Sequence, residues 1–323
     1  MKPSRRTPAR IRAPRPSFVP TMVGVEGYRR LRSDGTPNWV QRLPERIGET
    51  GLVASKPPIT VSSSAPIMEA LESIARHKVR GLVVTSGQSL YGVVMSTDLV
   101  NYLGGGGYYK LVTERHNGNI YRALVREKVS SVTSTRFPIV GSREPLSRAV
   151  ELLLSSRAGF VVVVDGGRPY GVITEKDLIR HLFGKRVEIS VEDAMTTPVL
   201  YIGEGEPMKS AAETLTRYSI RRLPVVSDSG EVKGVLTARG YLEYFGSHEA
   251  FKKLSGTSLE DVLETPVSAL RLEEPQYIEE RRSVSEALEV MVKSGSSSLL
   301  VVDEDYNVTG ILTERDALVA ILS

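Results

Sequence analysis

The sequence predicts an α/β protein made of four copies of one β-α-β-β-α unit, paired two and two, behind an extended basic N-terminal tail. Three observations carry this reading. A helical stripe of apolar residues recurs at a fixed distance before a Gly-apolar-apolar triplet, a continuous apolar run lies between the two each time, and the first fifty residues share neither feature. The length agrees, because 323 residues are too many for one modest core.

The triplets are Gly92-Val93-Val94, Gly171-Val172-Ile173, Gly234-Val235-Leu236 and Gly310-Ile311-Leu312. Upstream of each stands a stripe: Ile67, Ala70, Leu71, Ile74; Leu146, Ala149, Val150, Leu153; Met208, Ala211, Ala212, Leu215; and Val284, Ala287, Leu288, Met291. The i, i+3, i+4, i+7 spacing puts each set on one buried helical face. Pro66, Pro145 and Pro207 open the first three helices, where a missing N–H costs nothing in the first turn; Ser283 takes that column in the fourth. Leu82 to Val84, Phe160 to Val164, Leu223 to Val226 and Leu299 to Val302 read as buried strands. Short strands are expected ahead of the helices at Ile59 to Val61, Ile139-Val140, Val199 to Ile202 and Tyr277-Ile278. A unit of about 47 residues cannot close a core alone, so neighbours should pair. The expected divisions are a tail over 1–50, a first module over 51–185 with an insert at 104–130, and a second module over 186–323. The insert, with Gly104 to Gly107 and His116-Asn117-Gly118-Asn119, is expected to be a flexible connecting excursion.

Composition removes several functions. No apolar run approaches the roughly 20 residues that span a bilayer, and the basic start has no apolar stretch of a secretory signal behind it, so a cytoplasmic protein with no membrane partner is expected. There is no Cys, and the four His are scattered, which speaks against a disulfide or a structural metal. Cys avoidance with many Arg, Glu and Val is also what a thermophile shows. The sequence contains neither G-x-x-x-x-G-K-[ST], H-E-x-x-H nor G-x-S-x-G; no enzyme is expected.

The four registers together resemble the CBS domain, over roughly residues 56–323. In that family two repeats form a Bateman module, and two modules can form a disc, as in the gamma subunit of AMP-activated kinase; archaeal members have an insert similar to this one. The resemblance implies binding of AMP, ADP or ATP as a regulatory ligand, with no obligatory cofactor. It also implies that an Asp after the third strand accepts ribose hydroxyls while a preceding Thr meets phosphate. Repeat two has Thr174 and Asp177, and repeat four has Thr313 and Asp316. Repeat one has Met95 in place of the first hydroxyl but keeps Thr97 and Asp98. Repeat three ends in Gly240, so its site is expected to be degenerate. A capping reading stands beside the ligand reading, because Thr-x-x-Asp ahead of a helix also caps it. Arg222, with Arg221, His77, Lys78 and Arg80, is placed to meet phosphates across a cleft.

Residues 1–50 hold eleven basic and four acidic side chains, and within residues 1–20 Pro stands at 3, 8, 14, 16 and 20, which excludes regular helix from that stretch. Lys2, Arg5, Arg6, Arg10, Arg12, Arg15, Arg29, Arg30, Arg32 and Trp39 are candidate RNA contacts, through phosphate pairing and base stacking; the alternative is a solubilising tail. The combination resembles archaeal ribosome hibernation factors built of CBS repeats. That implies docking on ribosomal RNA through the tail and inhibition of translation, with homodimers allowed when the chain is free. The rival expectation is an adenylate energy sensor acting on a protein partner.

Overall fold

The computed structural model describes residues 8–15, 21–22, 48–156, 158–182, 187–252 and 259–322. Chain order begins with a tail strand β1 (Thr21–Met22) and a short helix α1 (Glu49–Val53). Repeat one comprises β2 (Thr60–Ser62), α2 (Ile67–His77), β3 (Gly81–Ser86), β4 (Ser89–Met95) and α3 (Ser96–Val100). Helices α4 (Tyr109–His116) and α5 (Ile120–Arg126) follow. Repeat two comprises β5 (Ile139–Gly141), α6 (Leu146–Ser155), β6 (Phe160–Asp165), β7 (Arg168–Thr174) and α7 (Glu175–Leu182). Repeat three begins with α8 (Val191–Ala194) and β8 (Thr196–Thr197), then β9 (Ile202–Gly203), α9 (Met208–Arg217), β10 (Arg222–Val226), β11 (Val232–Thr237) and α10 (Ala238–Gly246). Short helices α11 (Glu249–Lys252) and α12 (Leu259–Leu263) lead to repeat four: β12 (Tyr277–Glu279), α13 (Val284–Ser294), β13 (Ser298–Val302), β14 (Val308–Thr313) and α14 (Glu314–Leu322).

Every repeat builds the same sheet. Its first strand runs parallel to the second, and the second runs antiparallel to the third, as in β2-β3-β4 and β12-β13-β14. The apolar stripes face inward, with Ile67, Ala70, Leu71 and Ile74 all fully buried. Pro66, Pro145 and Pro207 stand at the N-cap with extended ψ near 150°, one step before the first helical turn. Ser283, in the same column, closes a capping box with Glu286. Both arrangements start a helix without an unsatisfied side chain.

Helix packing crosses the expected module boundary. One apolar cluster joins repeat one to repeat three through Leu71, Leu99, Leu215 and Phe245, and another joins repeat two to repeat four through Leu153, Leu178, Leu288 and Leu318. Within a pair, sheet meets sheet: Val83 and Val93 against Phe160 and Val162, and Val226, Val232, Val302 and Val308 on the other side. The four repeats therefore share their cores.

The insert is not a flexible excursion. It forms two helices whose Val112, Ile120, Ala123 and Leu124 are fully buried. Its glycines serve close packing: a Cβ on Gly105 would stand 2.6 Å from the Ala212 carbonyl of α9, and one on Gly104, at φ +119°, 2.7 Å from Leu263. Polar loop residues on either side concealed an amphipathic helix pair.

The tail, too, differs from the expectation of a free extended arm. Residues 8–15 lie as a strand between the hairpins of repeats three and four. Val232 N–H donates to the Ala9 carbonyl (2.9 Å), Ile11 N–H to Gly230 (2.9 Å) and Val308 N–H to Arg10 (2.8 Å). Ala9 and Ile11 are buried in the seam with Val232 and Val308. Small apolar side chains at alternate positions fill the gap between two sheets, which composition alone could not reveal.

Candidate functional site

Each cleft is built by two repeats. The segment leading into one repeat crosses onto the third strand of its partner: Ser55 bridges to Val172, Ser134 to Val93 and Glu273 to Val235, and Thr196 pairs with Ile311. This places a hydroxyl opposite three of the motifs and a carboxylate opposite the fourth.

The Thr-x-x-Asp motif then turns the chain into helix. Asp177 Oδ2 accepts from Thr174 N–H (2.9 Å) and from its hydroxyl (2.6 Å), while Oδ1 accepts from Ser55 (2.8 Å). Asp316 repeats this with Thr313 (2.7 and 2.7 Å) and Thr196 (3.3 Å). Asp98 accepts from Met95 N–H at 2.8 Å. One carboxylate oxygen thus caps the helix and, at Asp177 and Asp316, the other faces the opposing segment. Capping and ligand-holding are compatible in this geometry.

Three cavities open onto these motifs. The largest, about 530 Å3, contains Asp316 and Thr313 with Thr196, and its apolar wall is Pro198, Leu200, Ile220 and Ile311. Arg221, Arg222 and Arg315 face it, and repeat one contributes Thr97 and Asp98. A cavity of about 290 Å3 holds Thr174 and Asp177, walled by Ile59, Val79 and Phe160, with Lys78, Arg80 and Lys176 at one side. Both are in the range of small-molecule sites, or just below it. The third, about 470 Å3, surrounds Thr237 and Gly240 and is lined almost entirely by polar side chains. The motif's Asp is replaced by Gly240: the Thr237 hydroxyl caps Gly240 N–H (3.0 Å), and a Cβ at 240 would lie 3.0 Å from the Arg271 carbonyl. Glu273, in the column of Ser55 and Thr196, is held by Arg239 at 2.7 Å.

The repeats meet at a charged centre. Glu175, fully buried, bonds Arg80 (2.6 Å), Arg315 (3.3 Å) and Arg221 (3.4 Å). Arg80 also pairs with Glu314. Burial pushes the Glu175 carboxyl up, but Arg221, Arg80 and Arg315 outweigh it and hold it at about 2. Among the described residues Arg222 forms no ion pair: it bonds the Ser297 hydroxyl, its Nε is buried without a hydrogen bond, and burial with repulsion from Arg80 and Arg221 lowers it to about 10, with Glu314 and Glu273 offsetting this only in part. Arg80, Arg221, Arg222 and Arg315 gathered around Glu175 and Glu314, with Glu273 already held by Arg239, leave a positive surplus that attracts an anion. Burial raises Asp316 and Asp98 to about 6 each, against the hydrogen bonds they accept.

Sequence reasoning missed Glu175, Glu314 and Arg315. The available signal is the Glu that follows Thr in both complete motifs, Thr174-Glu175 and Thr313-Glu314. Among the tail candidates, Arg10 and Arg12 are exposed. Arg15 is engaged by Glu206, with one N–O distance of 3.1 Å, and lies 5.4 Å from the Tyr201 ring centre. Lys2, Arg5, Arg6, Arg29, Arg30, Arg32 and Trp39 lie outside the described residues. Among the described residues there is no group of metal-ligating side chains, and no helix is long and apolar enough to cross a membrane.

Four pseudo-equivalent β-α-β-β-α units, three of them with an Asp at the start of the helix that follows the third strand, define a class, and comparison with known proteins gives its name. The CBS domain matches residues 48–105, 129–184, 191–247 and 267–323, and the chain belongs to the CBS-domain family. Protein MJ1225 of Methanocaldococcus jannaschii, uncharacterised, is 30% identical over 83% of this chain and 96% of its own. Its crystal structure, described as that of a proposed archaeal homologue of g-AMPK, superposes with a TM-score of 0.76 at 29% identity, covering 83% of this chain and 97% of that one. An uncharacterised 33.4 kDa protein in the ribosomal RNA operon of Thermofilum pendens is 30% identical over 84% of this chain and 91% of its own.

Proposed function

We propose that the chain is a non-enzymatic sensor of adenine nucleotides, with AMP, ADP or ATP as regulatory ligand and the Asp316 cavity as principal site. The observation that carries this reading is the convergence, in one cavity of about 530 Å3, of a carboxylate acceptor, an apolar wall and uncompensated guanidinium charge. Asp316 and Thr196 take the ribose hydroxyls, Pro198, Leu200 and Ile311 cover the base, and Arg221 and Arg222 meet phosphate, with Thr97 and Asp98 of repeat one closing the far side. Asp177 with Thr174 forms the second site in the same way. Membership of the CBS family and the likeness to a proposed g-AMPK homologue support this reading. Calorimetry with each nucleotide on the full chain, Asp316→Asn and Asp177→Asn tests it. Each substitution is expected to remove one binding event, and retention of both events in both variants would reduce these residues to helix caps.

A second reading is docking on ribosomal RNA as a hibernation factor that inhibits translation. It is favoured by the eleven basic against four acidic side chains in residues 1–50, with Arg10 and Arg12 exposed. Ribosome co-sedimentation of the full chain and a version lacking residues 1–46, over a salt series, tests it, since phosphate contacts weaken steeply with salt. Equal absence of both from the ribosomal fractions sinks it.

A further inference from the structure

One wall of the Asp316 cavity is the segment from Thr196 to Leu200, which lines it with Thr196, Pro198 and Leu200, and the N-terminal tail grips this segment from both ends. At one end, β1 adds to the sheet as an edge strand beside β8, pairing Thr21 with Thr197 and Met22 with Thr196. Thr196 in turn bonds Asp316 at 3.3 Å. At the other end, the Tyr201 hydroxyl donates to the Ala13 carbonyl at 3.2 Å, and Glu206 holds Arg15. Between these grips, Ala9 and Ile11 anchor the tail in the seam of repeats three and four. The seam is built for it: the Gly230 carbonyl accepts from Ile11 N–H, and at residue 230, where φ is +79°, a Cβ would stand 2.7 Å from the Ile11 carbonyl.

A ligand between Asp316 and this wall orders the wall from inside, and the tail orders it from outside. Either partner spares the other part of the entropy of fixing the segment. We infer that the N-terminal segment is the output arm of the Asp316 site: nucleotide holds residues 8–15 and 21–22 on the second module, and loss of nucleotide releases them. This rests on the nucleotide reading above. The shared ordering cost sets the sign, and reciprocity sets the size: if the tail strengthens nucleotide binding, nucleotide strengthens tail docking by the same factor. The Asp177 cavity instead takes its wall from Ser55, Pro57, Pro58 and Ile59, ahead of repeat one.

The test uses ATP, ADP and AMP with the full chain, a version lacking residues 1–47, and Arg15→Ala, which leaves Ala9 and Ile11 in place if the truncation folds poorly. Calorimetry is expected to show the Asp316 event weakened about 5- to 50-fold by truncation and several-fold by Arg15→Ala, with the Asp177 event unchanged. Amide exchange on the full chain is expected to show the Val232 and Val308 N–H groups, which donate to the tail, more protected with saturating nucleotide and not so in Asp316→Asn. Equal affinity in all three proteins, or protection indifferent to nucleotide, overturns the output arm while leaving the nucleotide site standing. Absence of any binding event in the full chain overturns both.

Discussion

Replacing Glu175 by Gln is expected to lower the stability of the protein and raise its affinity for nucleotide at once. Glu175 is fully buried and is the shared partner of Arg80, Arg221 and Arg315. Its carboxyl is held at about 2 against an ordinary 4.5, and at about 1.4 kcal/mol per unit this amounts to roughly 3 kcal/mol favouring the ionised form in the fold. Breaking a buried ion pair from one side costs about 3–5 kcal/mol by independent reasoning, so the two routes agree. The sign follows from a lowered carboxylate pKa: the stabilisation is present above about pH 4.5 and is lost as pH falls through about 2. Denaturant unfolding at pH 7 should therefore show the variant roughly 3 kcal/mol less stable, and the wild-type acid limb between those values should flatten. The same substitution frees Arg221 and Arg315, which face the Asp316 cavity, so phosphate-bearing ligands should bind several-fold more tightly. A variant as stable as the wild type would refute the electrostatic account of the centre. One that is destabilised without tighter binding would show that these guanidinium groups do not meet the ligand.

Other outcomes follow from the same geometry. Gly240→Asp is not expected to create a third nucleotide site, because the Arg271 carbonyl already lies 3.0 Å from the new Cβ; a third calorimetric event in that variant would contradict this. Binding at the Asp316 cavity is expected to weaken about tenfold between pH 7 and 5, measured against Asp316→Asn, since burial sets that carboxyl at about 6 and only its ionised form accepts two hydroxyls. For stability the sign is opposite to that of Glu175: the Asp316 contribution is present below about 3.8 and is lost as pH rises through 6. Gly105→Ala should cost about 1–3 kcal/mol, because its Cβ meets the Ala212 carbonyl. A change within about 0.5 kcal/mol, as for an exposed loop, would show that the insert is not packed as described.

The architecture was legible because each repeat writes its own period. The stripe at Ile67, Ala70, Leu71 and Ile74 and the run before Gly92 specify a helix and a strand through local burial alone, and three further copies fixed the register. Thr174, Asp177, Thr313 and Asp316 were legible for the same reason, being fixed in distance from the third strand. The insert misled because Gly104 and Gly105 are signals of a loop when read locally, whereas their role is to admit α9. The importance of Glu175 was likewise invisible: its three partners come from repeats one, three and four, up to 140 residues away along the chain.

The sequence by itself determined the repeat, its count and which motifs keep the Asp after the third strand, because these depend on periodicity and residue type within one unit. Only the tertiary structure decided that the helical cores are shared across the modules, that one buried carboxylate holds three arginines, and that residues 8–15 close a seam instead of hanging free. These depend on which distant surfaces meet. Pairwise burial and charge at such meetings leave no local period in a single chain from which to read them.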